Sequence, residues 1–231
     1  MKRILTVFIL ILIASSAFSQ NITNKQFALI HYELNISDEF RKDLKPIKRF
    51  IKNAEVHNKD ADDKLKAILI HHMYYHLKDR FQDELDIHII PINTFVNEVK
   101  YNEFGYPKTN ISKALRIGST PFYFKVKIHL ESLTKERKKN DPELKGDIYF
   151  PHIITEVTIY NDDGILPVEK WRGEKITYNP YDVNERIFRG FIDEDQLPAQ
   201  PSLEEGQTEQ ASLYQMYDET LEQMISSFLG D

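Results

Sequence analysis

Hydrophobic and polar residues alternate most regularly over residues 122–131, where the apolar row begins with Phe122, Phe124 and Val126 and the alternate positions include two lysines. A period of two predicts a strand with one buried face and one polar face. The other predicted strands span residues 26–34, 86–95, 148–160 and 165–176. Pro91 lies inside the second of these, and we expect that strand to end early or to bulge there.

Spacings of three and four between apolar residues predict the helices. The clearest helix covers about 62–85, because its apolar residues gather on one face. Pro46 interrupts a similar pattern over residues 40–52, so we expect a kink or two short helices there. The other predicted helices span residues 111–117, between Asn110 as N-cap and Gly118 as stop, and 211–229.

This order of elements places helices between the early strands and an antiparallel meander after them. It predicts an α/β fold, a two-layer sandwich in which helices cover one face of a mixed sheet and a C-terminal amphipathic helix follows. We assign the α/β domain to residues 20–191 and an acidic flexible linker, rich in Pro, Gln, Ser and Glu, to residues 192–210. Residues 211–231 carry the terminal helix.

The first nineteen residues have the pattern of an export signal. Lys2 and Arg3 precede an apolar run over residues 4–13, and Ala17 and Ser19 are small enough for the two critical positions of a cleavage site. A run of that length spans about half of a bilayer core of roughly 30 Å, so we expect a cleaved signal rather than an anchor. No transmembrane span is predicted further along, and we expect a periplasmic or secreted protein.

At the level of this pattern the chain resembles the periplasmic family that includes the N-terminal domain of TolB and the curli-secretion lipoproteins. The matching pieces are the exported start, strand 26–34, helix 62–85 leading into DIHIIPINTF, helix NISKALRIG, strand PFYFKVKIHL and the terminal helix. The resemblance implies an accessory or assembly role at the cell envelope without enzymatic activity. This chain differs from the family in having no cysteine to carry a lipid and no propeller domain.

Composition and motifs exclude several classes of chemistry. The 231 residues include no cysteine, which removes disulfides, thiolate nucleophiles and cysteine metal sites. The net charge is −6, whereas a nucleic-acid-binding protein needs a broad cationic surface, so we expect no nucleic acid partner. The sequence has no G-x-S-x-G, P-loop or G-x-G-x-x-G motif, and we predict no cofactor.

Charge is unevenly distributed along the chain. The residues after Arg189 carry ten carboxylates and no Lys or Arg, whereas residues 41–52 carry six basic residues against Asp43 alone. This basic segment is a candidate for peripheral contact with an anionic lipid or sugar-phosphate surface. A solvated helix packed on the sheet, or a site where the acidic tail docks, are the alternatives. The candidate binding residues of the segment are Arg41, Lys45, Lys48, Arg49 and Lys52.

The loop over residues 101–107 concentrates aromatic residues beside a glycine and a proline. Tyr101, Phe104 and Tyr106 are candidates for binding a small ligand or sugar, because loops often carry binding sites. The alternative is that these side chains close the end of a hydrophobic core. Trp171 lies on a predicted hairpin strand and is most simply a packing residue.

Histidines on the helix over 62–85 make a candidate metal site. His72 and His76 are one turn apart and Asp79 continues the same stripe, so the three side chains have the spacing of metal ligands. The glutamate and the downstream ligand of an HExxH hydrolase are missing. Solvated His and Asp neighbours beside an apolar helix face are the alternative.

Taken together, these patterns favour an exported, non-enzymatic accessory or binding protein of the cell envelope that acts through an envelope protein as its partner. The terminal helix fits such a role, because a tethered amphipathic helix docks either on its own domain or in a groove of a partner. A metal-dependent hydrolase using His72 and His76, a small-ligand binder using the loop 101–107, and self-association stay open as alternatives.

Removal of the signal after Ser19 would leave Gln20 as the first residue. We expect N-terminal sequencing of the protein isolated from its host to begin at Gln20. Recovery of Met1 or Lys2 on a cytosolic species would contradict the predicted export.

Overall fold

The computed structural model describes residues 25–56, 61–92, 99–118, 120–133, 150–177, 183–199 and 210–230. The predicted export signal and residues 200–209 of the predicted linker lie outside these ranges. The strands are β1 (Lys25–Ile36), β2 (Ile87–Pro91), β3 (Phe122–Ser132), β4 (Pro151–Asn161) and β5 (Glu169–Ile176). The α-helices are α1 (Asp38–Asp43), α2 (Lys48–Asn53), α3 (Lys64–Leu85), α4 (Ile111–Ile117) and α5 (Leu213–Leu229), and 3₁₀ turns cover Lys45–Ile47, Glu185–Phe188 and Glu194–Gln196.

The five strands form one mixed sheet in the order β2-β1-β3-β4-β5. β1 pairs in parallel with both β2 and β3, and these parallel pairs are connected through helices, as parallel neighbours require. β3, β4 and β5 pair antiparallel as a meander. The prediction of a mixed sheet with an antiparallel meander and helices is therefore confirmed, and β2 ends at Pro91, as the proline indicated.

Local signals place the helix ends where the sequence indicates. The 3₁₀ turn that contains Pro46 separates α1 from α2, so the interrupted pattern does form two short helices. The side chain of Asn110 accepts a hydrogen bond from the Lys113 amide at 2.9 Å and caps α4, which ends at Gly118. α5 begins with a capping box in which Ser212 and Gln215 exchange side-chain and backbone hydrogen bonds.

Alternation along β1 divides the hydrophobic residues between two cores. Phe27 and Leu29 belong to the main core, which α1, α3 and α5 cover, whereas Ala28 and Ile30 belong to a second cluster on the other face of the sheet. α4 covers that second cluster with Ala114, which is fully buried. The helices are thus concentrated on one face, as predicted, and α4 adds a small layer at one corner of the opposite face.

The terminal helix is an integral layer of the main core. Its apolar face is fully buried through residues that lie three and four positions apart, Leu213, Met216, Tyr217, Leu221 and Met224. The Tyr217 hydroxyl donates a hydrogen bond to the Met73 carbonyl of α3 at 3.0 Å. The helix therefore docks on its own domain rather than standing apart from it.

The closest approach of α5 to the sheet is at Gly173 in β5. A Cβ atom at this position would overlap the backbone carbonyl group of Thr220 and lie 2.8 Å from the Thr220 Cα. Thr155 stands opposite Gly173 in β4, and its hydroxyl shares a hydrogen bond of 2.8 Å with the Thr220 hydroxyl. Glycine is needed at position 173 because the helix backbone occupies the space of a side chain.

The first part of the predicted linker also packs on this domain. Ile192 and Leu197 are buried, and the 3₁₀ turn Glu194–Gln196 lies between them. Two apolar side chains hold these residues against the core although the segment is acidic. In the part of the chain that the structure describes, no helix has the length and apolarity needed to cross a membrane.

Replacement of Gly173 by Ala tests the docking of α5. We expect Gly173→Ala to lower the free energy of unfolding by about 1–3 kcal/mol or more, because the new methyl group forces the helix away from β5. Denaturant unfolding followed by circular dichroism measures this change.

Gly164→Ala is the matched control, because a Cβ atom at Gly164 meets open space. We expect the control to change the free energy of unfolding by less than about 0.5 kcal/mol. Equal midpoints for the two variants would contradict the close contact between Thr220 and Gly173.

Candidate functional site

A cleft of about 480 Å³ opens where the outer surface of α3, the start of α5 and the turn at Gly190 meet. We call it the histidine cleft, and its lining residues are His71, His72, Tyr75, His76, Asp79, Gly190 and Tyr214. The α3 residues share one side of the helix because they are three or four positions apart. Gly190 has a φ of +89°, and a Cβ atom there would lie 2.7 Å from Cγ of Tyr214, so this glycine lets the turn close one wall of the cleft.

A chain of hydrogen bonds links α3 to α5 beside the cleft. The carboxylate of Asp218 accepts from His76 Nε2 at 2.6 Å, and the Tyr214 hydroxyl lies 2.8 Å from His76 Nδ1. When the ring is neutral, donation to Asp218 leaves Nδ1 as an acceptor, so the Tyr214 hydroxyl donates to it. Arg80 forms a further ion pair with the same oxygen of Asp218.

The environment of Tyr214 keeps its hydroxyl protonated. Partial burial raises the pKa of Tyr214, the charge of Asp218 raises it further, and Arg80 only partly opposes this. An arrangement of Tyr, His and Asp therefore lacks the lowered pKa that would make the phenol a nucleophile. The geometry is that of a rigid hydrogen-bonded wall.

Each histidine of the cleft is held by a different neighbour. His71 Nδ1 lies 2.8 Å from the Tyr106 hydroxyl, and the His72 ring meets the Phe191 ring edge-on with centroids 6.2 Å apart. Both ring nitrogens of His76 are already hydrogen-bonded, as described above. Within the described ranges, no group of three His, Asp or Glu side chains converges as a metal site. Metal binding through His72, His76 and Asp79 stays a prediction.

The aromatic loop closes the main core. Phe104 and Tyr106 are each 7% exposed, and the Tyr106 ring packs against Tyr32 and Tyr74 at centroid distances of 4.8 and 5.0 Å. The packing alternative therefore describes these two residues, which are not positioned to grip a ligand from solvent. Tyr101 is 42% exposed, and its hydroxyl donates to the Ile92 carbonyl at 3.3 Å.

The basic segment lines a groove of about 760 Å³ between α1, α2 and the start of α3, which we call the basic groove. Among the predicted binding residues, its lining includes Arg41, Lys45, Lys48 and Lys52. Arg49 is exposed outside it.

The apolar side of this segment is used by the fold. Phe40 and Leu44 are buried in the main core, so these side chains are not available to a lipid interface. Arg41 pairs with Asp63 at 2.6 Å.

The acidic terminal helix contacts other cations, since Asp218 pairs with Arg80 and Glu219 with Lys175. The solvated helix packed on the domain is the alternative that agrees with these contacts.

Sequence reasoning missed the contributions of Gly190, Tyr214 and Asp218 to the histidine cleft. The contact between α3 and α5 joins residues about 140 positions apart, as from His76 to Asp218, and no local pattern encodes it. One signal was present, because Tyr214 and Asp218 lie four positions apart on the border of the apolar face of α5.

Comparisons with known proteins give little further information. No family model matches the chain, and no curated protein matches it. Among solved structures, the chain is similar to the hypothetical protein CT253 from Chlamydia trachomatis, with a TM-score of 0.38 and 7% sequence identity, over 89% of this chain and 99% of that chain. A similarity at this level supports no inference about function, and the resemblance to the TolB and curli-secretion family stays a prediction.

The metal hypothesis is tested by adding Zn²⁺ and following thermal unfolding. We expect Zn²⁺ to leave the Tm of the wild-type protein unchanged, because a metal at His76 would have to displace Tyr214 or Asp218. His72→Ala should behave in the same way, and His88→Ala on β2 is the control. A Zn²⁺-induced rise in Tm that is lost in His72→Ala and retained in His88→Ala would contradict this account and support the metal-dependent hydrolase.

Proposed function

We propose that this protein is an exported, non-enzymatic binding protein of the cell envelope, and that it holds a cationic side chain of a partner protein in the histidine cleft. The observation that carries this proposal is the position of the Asp79 carboxylate in one open cleft with Tyr75 and Tyr214. The export and envelope parts of the proposal are supported by the pattern of the first nineteen residues and by the family resemblance.

The charge around the cleft favours a cation. Asp79 is exposed, and no cation among the residues that the structure describes pairs with it. Asp218 and Glu84 both pair with Arg80, so two carboxylates share one guanidinium group. This local excess of negative charge attracts a lysine or arginine side chain.

The aromatic side chains of the cleft offer a cation a second favourable interaction, with the face of an aromatic ring. Tyr75 is 56% exposed, although tyrosine normally buries much of its ring, and it meets the Tyr74 ring edge-on at 5.3 Å. A guanidinium or ammonium group over an exposed aromatic face gains about 0.5–1 kcal/mol. Tyrosine beside a charged group is also typical of the residues that dominate protein interfaces.

The size and chemistry of the cleft agree with binding rather than catalysis. A volume of about 480 Å³ accommodates one long side chain with part of its backbone. The raised pKa of Tyr214 keeps its phenol protonated and a poor nucleophile, and both nitrogens of His76 are engaged in hydrogen bonds within the wall of the cleft. The same hydrogen bonds fix the wall of the cleft before a partner arrives, which lowers the entropic cost of binding.

Site-directed photocrosslinking in intact host cells tests this proposal. A benzophenone amino acid at position 75 lies at the cleft, whereas the same group at position 166 replaces Leu166, which is 78% exposed on a turn away from the cleft. We expect a discrete crosslinked product from position 75 and no matching product from position 166. Identical products at both positions, or no product above background, would contradict the proposal.

The chemistry of the partner is tested in the same assay by removing one charge. Asp79→Asn should reduce crosslinking from position 75 by about two- to fivefold, the effect of one exposed ion pair. Asp83→Asn is the matched control, because Asp83 lies on the same helix one turn beyond Asp79 and does not line the cleft. Equal yields from the two variants would argue against recognition of a cation at Asp79.

A further inference from the structure

A second cavity, of about 490 Å³, lies on the face of the sheet opposite α3 and α5. Ile30 of β1, Lys125 of β3 and Tyr160 of β4 lie along the sheet side of the cavity, and α4 with the residues before it forms a wall. Backbone contacts fix this wall against β1, since His31 and Lys108 form a β-bridge and the Thr109 amide donates to the Ile30 carbonyl at 2.9 Å. The cavity is therefore built by ordered elements.

The lining of this cavity is strongly cationic. Four lysines surround it, and we call it the lysine basin after Lys100, Lys108, Lys113 and Lys125. No Asp or Glu is among its described lining residues, and none of the four lysines forms an ion pair with another described residue. The carboxylate of Glu33, which is hydrogen-bonded to His31 at 3.2 Å, interacts electrostatically with Lys108 and Lys125 from outside the lining. Such a concentration is unusual in a chain with a net charge of −6.

Burial and neighbouring lysines both lower the pKa of two groups in the basin. Burial lowers the pKa of Lys125, and the neighbouring Lys127 lowers it further, while Glu33 and Glu156 oppose both effects. Burial also lowers the pKa of His31. The hydrogen bond and charge of Glu33 raise this pKa, and the charges of Lys125 and Lys127 lower it. An anion in the basin would relieve this repulsion.

We propose that the lysine basin binds a small, multiply charged anion that carries a phosphate or diphosphate group. The four lysines lie on β3, on α4 and in the loop before α4, and lysine acts as a point charge that suits phosphate oxygens without demanding a planar partner. The hydroxyl groups of Thr109 and Tyr160 add neutral hydrogen-bond donors. Because the sheet separates this basin from the histidine cleft, its ligand is distinct from the partner proposed there.

The charge count favours a phosphate over a simple carboxylate. A monocarboxylate supplies one negative charge, which leaves most of the lysine charge uncompensated, whereas a diphosphate supplies two or more in a compact group. A volume of about 490 Å³ is within the range of small-molecule sites and leaves room for an attached organic group.

Calorimetric titration of the whole purified chain with inorganic pyrophosphate tests the proposal, with acetate as the monoanion for comparison. We expect saturable binding of pyrophosphate that weakens as salt is added, and no measurable binding of acetate. The double substitution Lys113→Gln/Lys125→Gln should weaken pyrophosphate binding by at least about tenfold, because two of the four cations are removed. Absence of binding at millimolar pyrophosphate, or equal binding of acetate, would overturn the proposal.

Two further variants keep the test specific. Lys48→Gln/Lys52→Gln removes the same charge from the basic groove and should change the affinity less than about twofold. An equal loss of pyrophosphate affinity in this control would mean that binding depends on the overall charge of the protein, and would overturn the proposed site. If Lys113→Gln/Lys125→Gln does not fold, Lys100→Gln/Lys108→Gln replaces it, because both lysines are exposed, and unchanged affinity in that variant would also overturn the proposal.

Discussion

The contact between the backbone of Thr220 and Gly173 sets the distance between the terminal helix and the sheet. Because no side chain stands between them, α5 lies close enough for its apolar face to complete the main core. The hydrogen bond between Thr155 and Thr220 satisfies two buried hydroxyl groups at this contact, which would otherwise be costly to bury. The position of α5 then determines what the outer surface of α3 can form.

The histidine cleft is a consequence of this docking. Tyr214 and Asp218 reach His76 only because α5 lies beside α3, and the Tyr217 hydroxyl fixes the two helices relative to each other through the Met73 carbonyl. The acidic residues of the terminal helix meet Arg80 and Lys175 on the domain, which partly compensates their charge. Among the described residues that line the cleft, Asp79 has a carboxylate without a cationic partner, and the proposed binding of a cationic side chain follows from it.

Local features of the fold were accessible from sequence, and contacts between distant segments were not. Some features depend only on residues close together in the chain, and these can be recognised from a single sequence. They include the alternation in β3, the proline between α1 and α2, and the caps of α4. The lysine basin joins residues of β3, α4 and the preceding loop that are separate along the chain, so no run of basic residues in the sequence marks it, unlike the basic segment. From the sequence, the apolar side of that segment could face a membrane. The structure shows that Phe40 and Leu44 are buried in the core instead, a contact between distant segments that the sequence does not reveal.

The two proposed sites differ in charge and lie on opposite sides of one sheet, and the histidine cleft depends on the terminal helix being part of the fold. Hydrogen exchange of the backbone amides measures this directly. We expect the amides of Leu213–Leu229 to exchange as slowly as those of Phe122–Ser132, because both would open only when the whole domain unfolds. Exchange of the terminal helix that is orders of magnitude faster than that of β3 would contradict the account.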